Sequence, residues 1–511
     1  MQLTAVAPAL ALLLLALIFI RTKLKSRTSR PNLPPGSLGW PVLGASLELF
    51  RANRDGNPGK FVRDRIGKHG SPVFKISLLG ERMVVLCGPA GNKFLFSNEG
   101  KKVALWWPTA VRRLIGTSLI TKVGDEGRSD RKMLMSFFNP EALMRFVGTM
   151  DEVTRHHLRT RWQGRECVVR TFSSRYEQTA HIALTLAHCE GKDQVEAYPT
   201  LRLYTFELAC RLFMSITDPQ LIVRLADHFQ VFHKGLISLP LDFPGTRFHR
   251  ARRAADSIRE ELRALVRQRR TELEKKLARP SQDIMSHLLA NGDENGNLMP
   301  EAEIINNMLN FLFAGHDTSS STLMLLLKYL AELPHVLDKI LAEQREIAAS
   351  KGPGELLQWD DLQRMKYSWN VLCEVMRMTP PVVGTFREAL VDFTYEGYTI
   401  PKGWKLYWSA AVTHEDPNFH PRAASFDESR FEGSGPAPYS YVPFGGGPRM
   451  CLGKEFARVE MLVFLHNLVN MFDWDLVIPG EKIIYDPMPT PVKGLPIRLR
   501  PRGLRRGLSG S

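Results

Sequence analysis

No two of the six cysteines, at positions 87, 167, 189, 210, 373 and 451, are spaced as Cys-x-x-Cys. That spacing excludes the usual structural zinc site and a thioredoxin-like dithiol. The scatter suits buried, reduced thiols and a reducing compartment. No repeat period and no low-complexity tract is present, which excludes a solenoid or a disordered scaffold. There is no flavin or nicotinamide fingerprint, so any redox chemistry needs electrons from outside the chain. Acidic residues are the minority: 53 Asp and Glu against 68 Lys and Arg, a net charge of +15. The basic residues are dispersed, with no zinc-finger spacing and no single-strand stacking platform, so no nucleic acid is expected. A membrane surface or an acidic protein partner fits the charge instead.

Long apolar runs are also scarce, with one exception. Residues 5–20, "AVAPALALLLLALIFI", are uncharged, and Leu3 extends them to about the length that crosses a bilayer as a helix. The positive charges Arg21, Lys23, Lys25, Arg27 and Arg30 come after the run, the reverse of a cleaved signal peptide. The positive-inside rule then puts the N-terminus in the lumen and the rest in the cytosol. Residues 1–22 are read as a single transmembrane anchor and 23–44 as a basic, proline-rich linker, stiff and non-helical. Residues 45–505 form one body, with no polar linker to divide them.

That body reads as mainly α with a minor β sheet. Residues 256–277 carry Ile258, Leu262, Val266, Leu273 and Leu277 on one stripe of a helix. Residues 73–86 alternate around Gly80-Glu81 as a hairpin, and 393–408 read as further short strands. The run 300–332 reads as a helix about 50 Å long, stopped by Pro334. Its centre, "AGHDTSSST", places glycine, acid and hydroxyls amid apolar residues, which is costly in a core unless they are used. One reading has Asp317 and the serines facing solvent or bonded back to the helix. The other has Gly315 admitting a flat ligand to the backbone, with Asp317 and Thr318 handling protons beside it.

The segment "FGGGPRMCLG" carries the most chemistry. Gly445 to Gly447 permit an unusual backbone path, and Cys451 stands just before a helical pattern, where a thiolate is favoured. Arg449, two residues away, is placed to pair with a carboxylate of a cofactor. A metal held by one cysteine and no other protein ligand suggests haem iron.

The pattern Phe-x-x-Gly-x-Arg-x-Cys-x-Gly at Phe444, Gly447, Arg449, Cys451 and Gly453 resembles the cytochrome P450 superfamily. So do Ala-Gly-x-Asp-Thr at Ala314, Gly315, Asp317 and Thr318, Glu-x-x-Arg at Glu374 and Arg377, and "FDESRF" with Arg430. The resemblance covers essentially the whole chain. It implies a P450 fold behind the membrane anchor and haem b (iron protoporphyrin IX) with Cys451 as axial ligand. It further implies that Arg387 and Arg131 hold the haem propionates, and that Glu374, Arg377 and Arg430 form a network behind the haem. Four residues before Arg131 the superfamily often has Trp or His as a further propionate donor; here stands Gly127. The implied reaction inserts one oxygen atom of O2 into a C–H bond, with Thr318 and Asp317 relaying protons. Electrons would come from NADPH through a membrane-bound NADPH–cytochrome P450 reductase, at the endoplasmic reticulum.

The segments 105–120, 237–251 and 487–501 look like the plant triterpenoid-oxidase branch, with taxoid hydroxylases as relatives. The implied substrate is a pentacyclic triterpene such as β-amyrin, the alternatives a diterpenoid or a steroid. Trp106, Trp107, Leu239, Val383, Thr385 and Met488 lie in segments that line the pocket in such relatives, and the helix face around Leu312 and Ala314 would wall it. Two readings of another class are a peroxide-isomerising haem-thiolate enzyme and a non-catalytic haem-binding protein.

Overall fold

The computed structural model describes residues 32–40, 44–162, 166–169, 185–188, 194–293 and 296–502. The expected membrane anchor 1–22 and the linker as far as residue 31 lie outside the described residues. Among those described, no helix is long and apolar enough to cross a membrane. The described part of the linker is non-helical and lies on the body: the Lys75 N–H donates to the Pro35 carbonyl at 2.7 Å, and Lys75 Nζ to that of Pro34 at 2.6 Å.

Helices dominate. Those that build the site are α1 (Gly88–Ser97), α2 (Gly124–Phe138), α3 (Ala197–Met214), α4 (Pro219–Leu236), α5 (Arg247–Glu274), α6 (Glu301–Glu332), α7 (Lys366–Met378) and α8 (Lys454–Met471). The main sheet has strands β1 (Val73–Leu78), β2 (Glu81–Leu86), β3 (Val103–Leu105), β4 (Gly384–Ala389) and β5 (Lys405–Ser409) in the order β1-β2-β5-β4-β3. β1 and β2 form the expected hairpin, Leu78 facing Glu81 across the turn. The only parallel pairing in this sheet joins β5 to β2, with Leu406 opposite Val84.

The long central helix is α6, with Pro300 as its N-cap residue, where a missing N–H costs nothing. Leu333 ends it, and Pro334 is the first residue of the next helix. α6 runs through the main apolar core and packs on α3, α5, α7 and α8. The amphipathic helix read from residue 256 starts earlier, at Arg247, where the Thr246 hydroxyl accepts from the His249 N–H. It stops at Glu274, so Leu277 is no part of its stripe and is 76% exposed.

Candidate active site

The cysteine loop closes on itself. The Cys451 N–H donates to the Phe444 carbonyl at 2.9 Å, and the Gly453 N–H points at the thiol. Two of the three glycines are required by α1. A Cβ on Gly446 would stand 2.5 Å from the Phe96 ring, and one on Gly447, at φ +64°, would stand 2.4 Å from the Phe96 carbonyl oxygen. The Cys451 side chain is surface-accessible yet enclosed by protein, so it faces an internal space. Burial pushes the thiol up; the Gly453 N–H, Arg131 and Lys454 pull the other way.

Three guanidiniums gather around this loop with one carboxylate among them. Arg387 Nε on β4 stands 2.6 Å from Glu99 Oε2, and Arg449 Nε 3.8 Å from Glu99 Oε1. Arg131 on α2 donates to the Met450 carbonyl. Burial lowers all three, and Arg449 lowers Arg131 and Arg387 further by like-charge repulsion. Gly127 explains how Arg449 fits: a Cβ there would be 2.8 Å from Arg449 Nη2, which instead donates to the Lys122 carbonyl at 2.7 Å. The guanidinium takes the space that a larger side chain at 127 would need. Arg449 thus points inward, and Arg458 pairs with Glu455 at 2.8 Å, so neither is free to present charge to a partner.

Behind the loop, Glu374 and Arg377 on α7 are fully buried and joined by two 2.7 Å bonds, Arg377 Nε to Oε2 and Nη2 to Oε1. Arg377 also donates to the carbonyls of His414 and Ala423, both at 2.9 Å. Glu374 Oε1 accepts from the Asp427 N–H at 2.9 Å, with Arg430 Nε 3.5 Å away. The three network residues named from sequence are therefore together.

On α6 the structure separates the expected residues. Ala314 is exposed and Thr318 half-buried, though this helix is otherwise largely packed; the Thr318 hydroxyl donates to the Ala314 carbonyl at 2.7 Å. Leu312 lies on the opposite side and is fully buried, so it does not share a wall with Ala314. A Cβ on Gly315 would be 3.1 Å from the Phe213 ring, so its bareness also eases the packing of α3. Asp317 does not face solvent. It is fully buried, with Arg202 Nη2 of α3 at 2.8 Å, His316 Nε2 at 3.2 Å and His233 Nε2 of α4 at 3.5 Å. Burial pushes its carboxyl up, but Arg202 and the two histidines prevail and hold it well below the usual range.

The remaining pocket residues divide. Trp106 sits in a separate core under the sheet, edge-on to Phe386 at 5.7 Å with Lys405 Nζ 5.1 Å above its ring, so it is a packing residue here. Leu239 is 48% exposed, in a loop with exposed Ile237, Leu241 and Phe243, and lines no enclosed wall. Trp107 is half-buried, its Nε1–H donating to the Ile120 carbonyl at 3.0 Å. Val383 and Thr385 are half-buried where α7 leads into β4, and Met488 is nearly buried.

The family model described as "Cytochrome P450" matches residues 34–493. The chain belongs to the cytochrome P450 family. A beta-amyrin 28-monooxygenase of Vitis vinifera is 49% identical over 499 residues, 96% of this chain and 98% of that relative. One of Medicago truncatula is 50% identical over 488 residues, 95% and 96% of the two chains. Among solved structures, retinoic-acid-bound cyanobacterial CYP120A1 is 32% identical with a TM-score of 0.78, covering 93% of this P450 and all of that chain. The enzyme is a P450 monooxygenase of the mainly helical P450 fold.

The residues present fit the haem-thiolate cofactor that the family implies. An accessible thiol in the interior, an exposed alanine in the middle of a core helix and three arginines near the cysteine loop, two of them sharing the Glu99 carboxylate, match a flat metal ligand carrying two acidic groups. Sequence reading missed Glu99, Arg202 and His233. Nothing in their local sequence marks them, because each acts through a partner more than 80 positions away. His316 did carry a signal, lying inside the "AGHDT" motif.

Proposed function

We propose that this P450 oxidises a pentacyclic triterpene such as β-amyrin, using O2 and electrons from NADPH delivered by NADPH–cytochrome P450 reductase. We infer that the body 45–505 works at the endoplasmic reticulum membrane, held by 1–22 through 23–44 and facing the cytosol. The observation that carries the substrate class is near-full-length similarity to several beta-amyrin 28-monooxygenases. Haem b in this fold supplies the activation of O2 for C–H oxygenation. In this reading Cys451 would hold the haem iron; the Gly453 N–H, Arg131 and Lys454 favour its thiolate against burial, which on balance raises the thiol. Arg131, Arg387 and Arg449 would hold the propionates, and Phe444 and Gly453 would set the loop.

Thr318 is the proton-handling group nearest the exposed stretch of α6. Its hydroxyl hydrogen is committed to the Ala314 carbonyl, which leaves the oxygen's lone pairs free to accept. In this reading Asp317, ionised beside Arg202 and two imidazoles, assists Thr318 in the proton relay. Ala314, Trp107, Val383, Thr385 and Met488 are the proposed pocket positions.

The test is co-expression with a plant reductase in yeast making β-amyrin, α-amyrin and lupeol, followed by mass spectrometry. A product heavier by one or more oxygen atoms supports the reading. No product, with a normal spectrum of the reduced carbon-monoxide complex, overturns the triterpene substrate and favours a diterpenoid or steroid. Cys451→Ala is expected to abolish the thiolate-type carbon-monoxide spectrum; its survival would remove Cys451 as ligand.

A further inference from the structure

The amide of Asn310 has no structural task. Its neighbours on α6 are occupied: Asn306 Oδ1 accepts from Arg259 Nε at 2.9 Å, and Asn307 Oδ1 accepts from the Leu119 N–H at 2.8 Å, tying the loop before α2 to the helix. Asn310 is only 2% exposed, and its Oδ1 finds no hydrogen-bond partner among the described residues. A buried acceptor without a partner is costly, and native proteins keep few of them. Leucine, of similar size, would fill the position without that cost.

Its place on the helix says what the amide is for. Residues four apart lie on one edge of a helix, so Asn310 precedes exposed Ala314 by one turn and half-buried Thr318 by two. Four residues rise about 6 Å along the axis. Asn310 therefore stands between Asn307, which is tied down, and the opening at Ala314.

We propose that Asn310 is a specificity-determining residue whose amide hydrogen-bonds a hydroxyl of the bound terpenoid, about one helical turn from Ala314. The inference rests on the terpenoid reading above and deepens it. A site built to hydrogen-bond a hydroxyl rejects the analogue that lacks it far more strongly than an apolar wall separates two hydrocarbons. The hydroxyl has two sources. It is one that the skeleton already carries, or it is the first oxygen that the enzyme installs, retained in the pocket for a second oxidation.

Binding without turnover tests this. The haem-loaded full chain and Asn310→Leu are titrated spectrally, without reductase, with β-amyrin, its 3-deoxy analogue and its 28-hydroxylated derivative. The expected result is a roughly 5- to 30-fold weaker Kd in Asn310→Leu for the ligand bearing the recognised hydroxyl, on the order of one lost hydrogen bond, with the deoxy analogue unchanged. Weakening of both hydroxylated ligands assigns the 3-hydroxyl; weakening of the 28-hydroxylated ligand alone assigns the installed oxygen. Equal Kd ratios in wild type and variant overturn the proposal. Asn310→Ser, which keeps a polar group, is expected to recover part of the loss, and it carries the same comparison if the leucine variant does not load haem. If wild type responds to none of the three, the triterpene reading fails, and the ratio is read with a diterpene hydrocarbon and its mono-alcohol.

Discussion

Arg202 Nη2 on α3 stands 2.8 Å from Asp317 Oδ1 on α6, and the two side chains are nearly sealed from solvent. The pair is ionic, but neither carboxylate oxygen has an aligned hydrogen bond. Removing one partner strands the other charge in the core, which costs about 3–5 kcal/mol. Arg202→Met is therefore expected to lower the melting temperature clearly. Arg202→Met with Asp317→Leu is expected to recover most of that loss, because no charge is then left alone. Thermal melts of the holoproteins check this; a double variant no more stable than Arg202→Met would show that Asp317 is not the stranded group.

Gly127 and Arg449 make a second prediction. Gly127→Trp would drive a ring into the place of the Arg449 guanidinium, which a Cβ already approaches at 2.8 Å. The expected outcome is a fold kept largely intact with haem lost more readily, read as faster transfer of haem to an apo-acceptor. Gly127→Ala is expected to show a milder form, since its Cβ meets the Arg449 guanidinium and the Lys122 carbonyl oxygen, both at 2.8 Å, with far less volume to place than a ring. Unchanged haem transfer in both variants would detach Arg449 from cofactor retention.

Much of this site was legible because its chemistry is local in sequence. The cysteine loop, the Glu374–Arg377 pair and the α6 centre each sit within a few residues of chain, and the apolar run between Pro300 and Pro334 located α6 to within a residue at its start. What sequence could not give is direction. Leu312 and Ala314 are both apolar and two apart, yet a helix turns about 200° between them, and only Ala314 is exposed. Asp317 reads as handling protons with Thr318, and sequence does not show that its carboxylate packs against Arg202 of α3 and His233 of α4. Pairings such as Glu99 with Arg387 depend on β4 returning beside β3, which no local pattern records.

The buried Glu374–Arg377 pair predicts that charge alone is insufficient. Arg377 spends its planar fork on both oxygens of Glu374 and on the carbonyls of His414 and Ala423. Lysine carries the charge but not the fork. Arg377→Lys is expected to lose charge-assisted hydrogen bonds worth about 1.5–3 kcal/mol each and to give little haem-loaded protein, judged by the ratio of haem absorbance to total protein. A normal ratio would mean that the network tolerates a point charge.

Glu460 on α8 supplies the pH prediction. It is fully buried, and neither carboxyl oxygen has a hydrogen-bond partner among the described residues. Burial pushes its carboxyl up to about 8 from an ordinary 4.5, against a small opposing pull from the Ser319 hydroxyl. Folded protein therefore keeps a proton that unfolded chain has lost across that window. Stability must fall as pH rises from 4.5 toward 8, by at most about 1.4 kcal/mol per unit, and level off above. Glu460→Gln has nearly the same shape and cannot ionise, so its melting temperature should lack this decline and exceed wild type at pH 8. Melts of both proteins at pH 5, 6.5 and 8 decide it: parallel curves would mean that Glu460 is ionised in the fold and paired there.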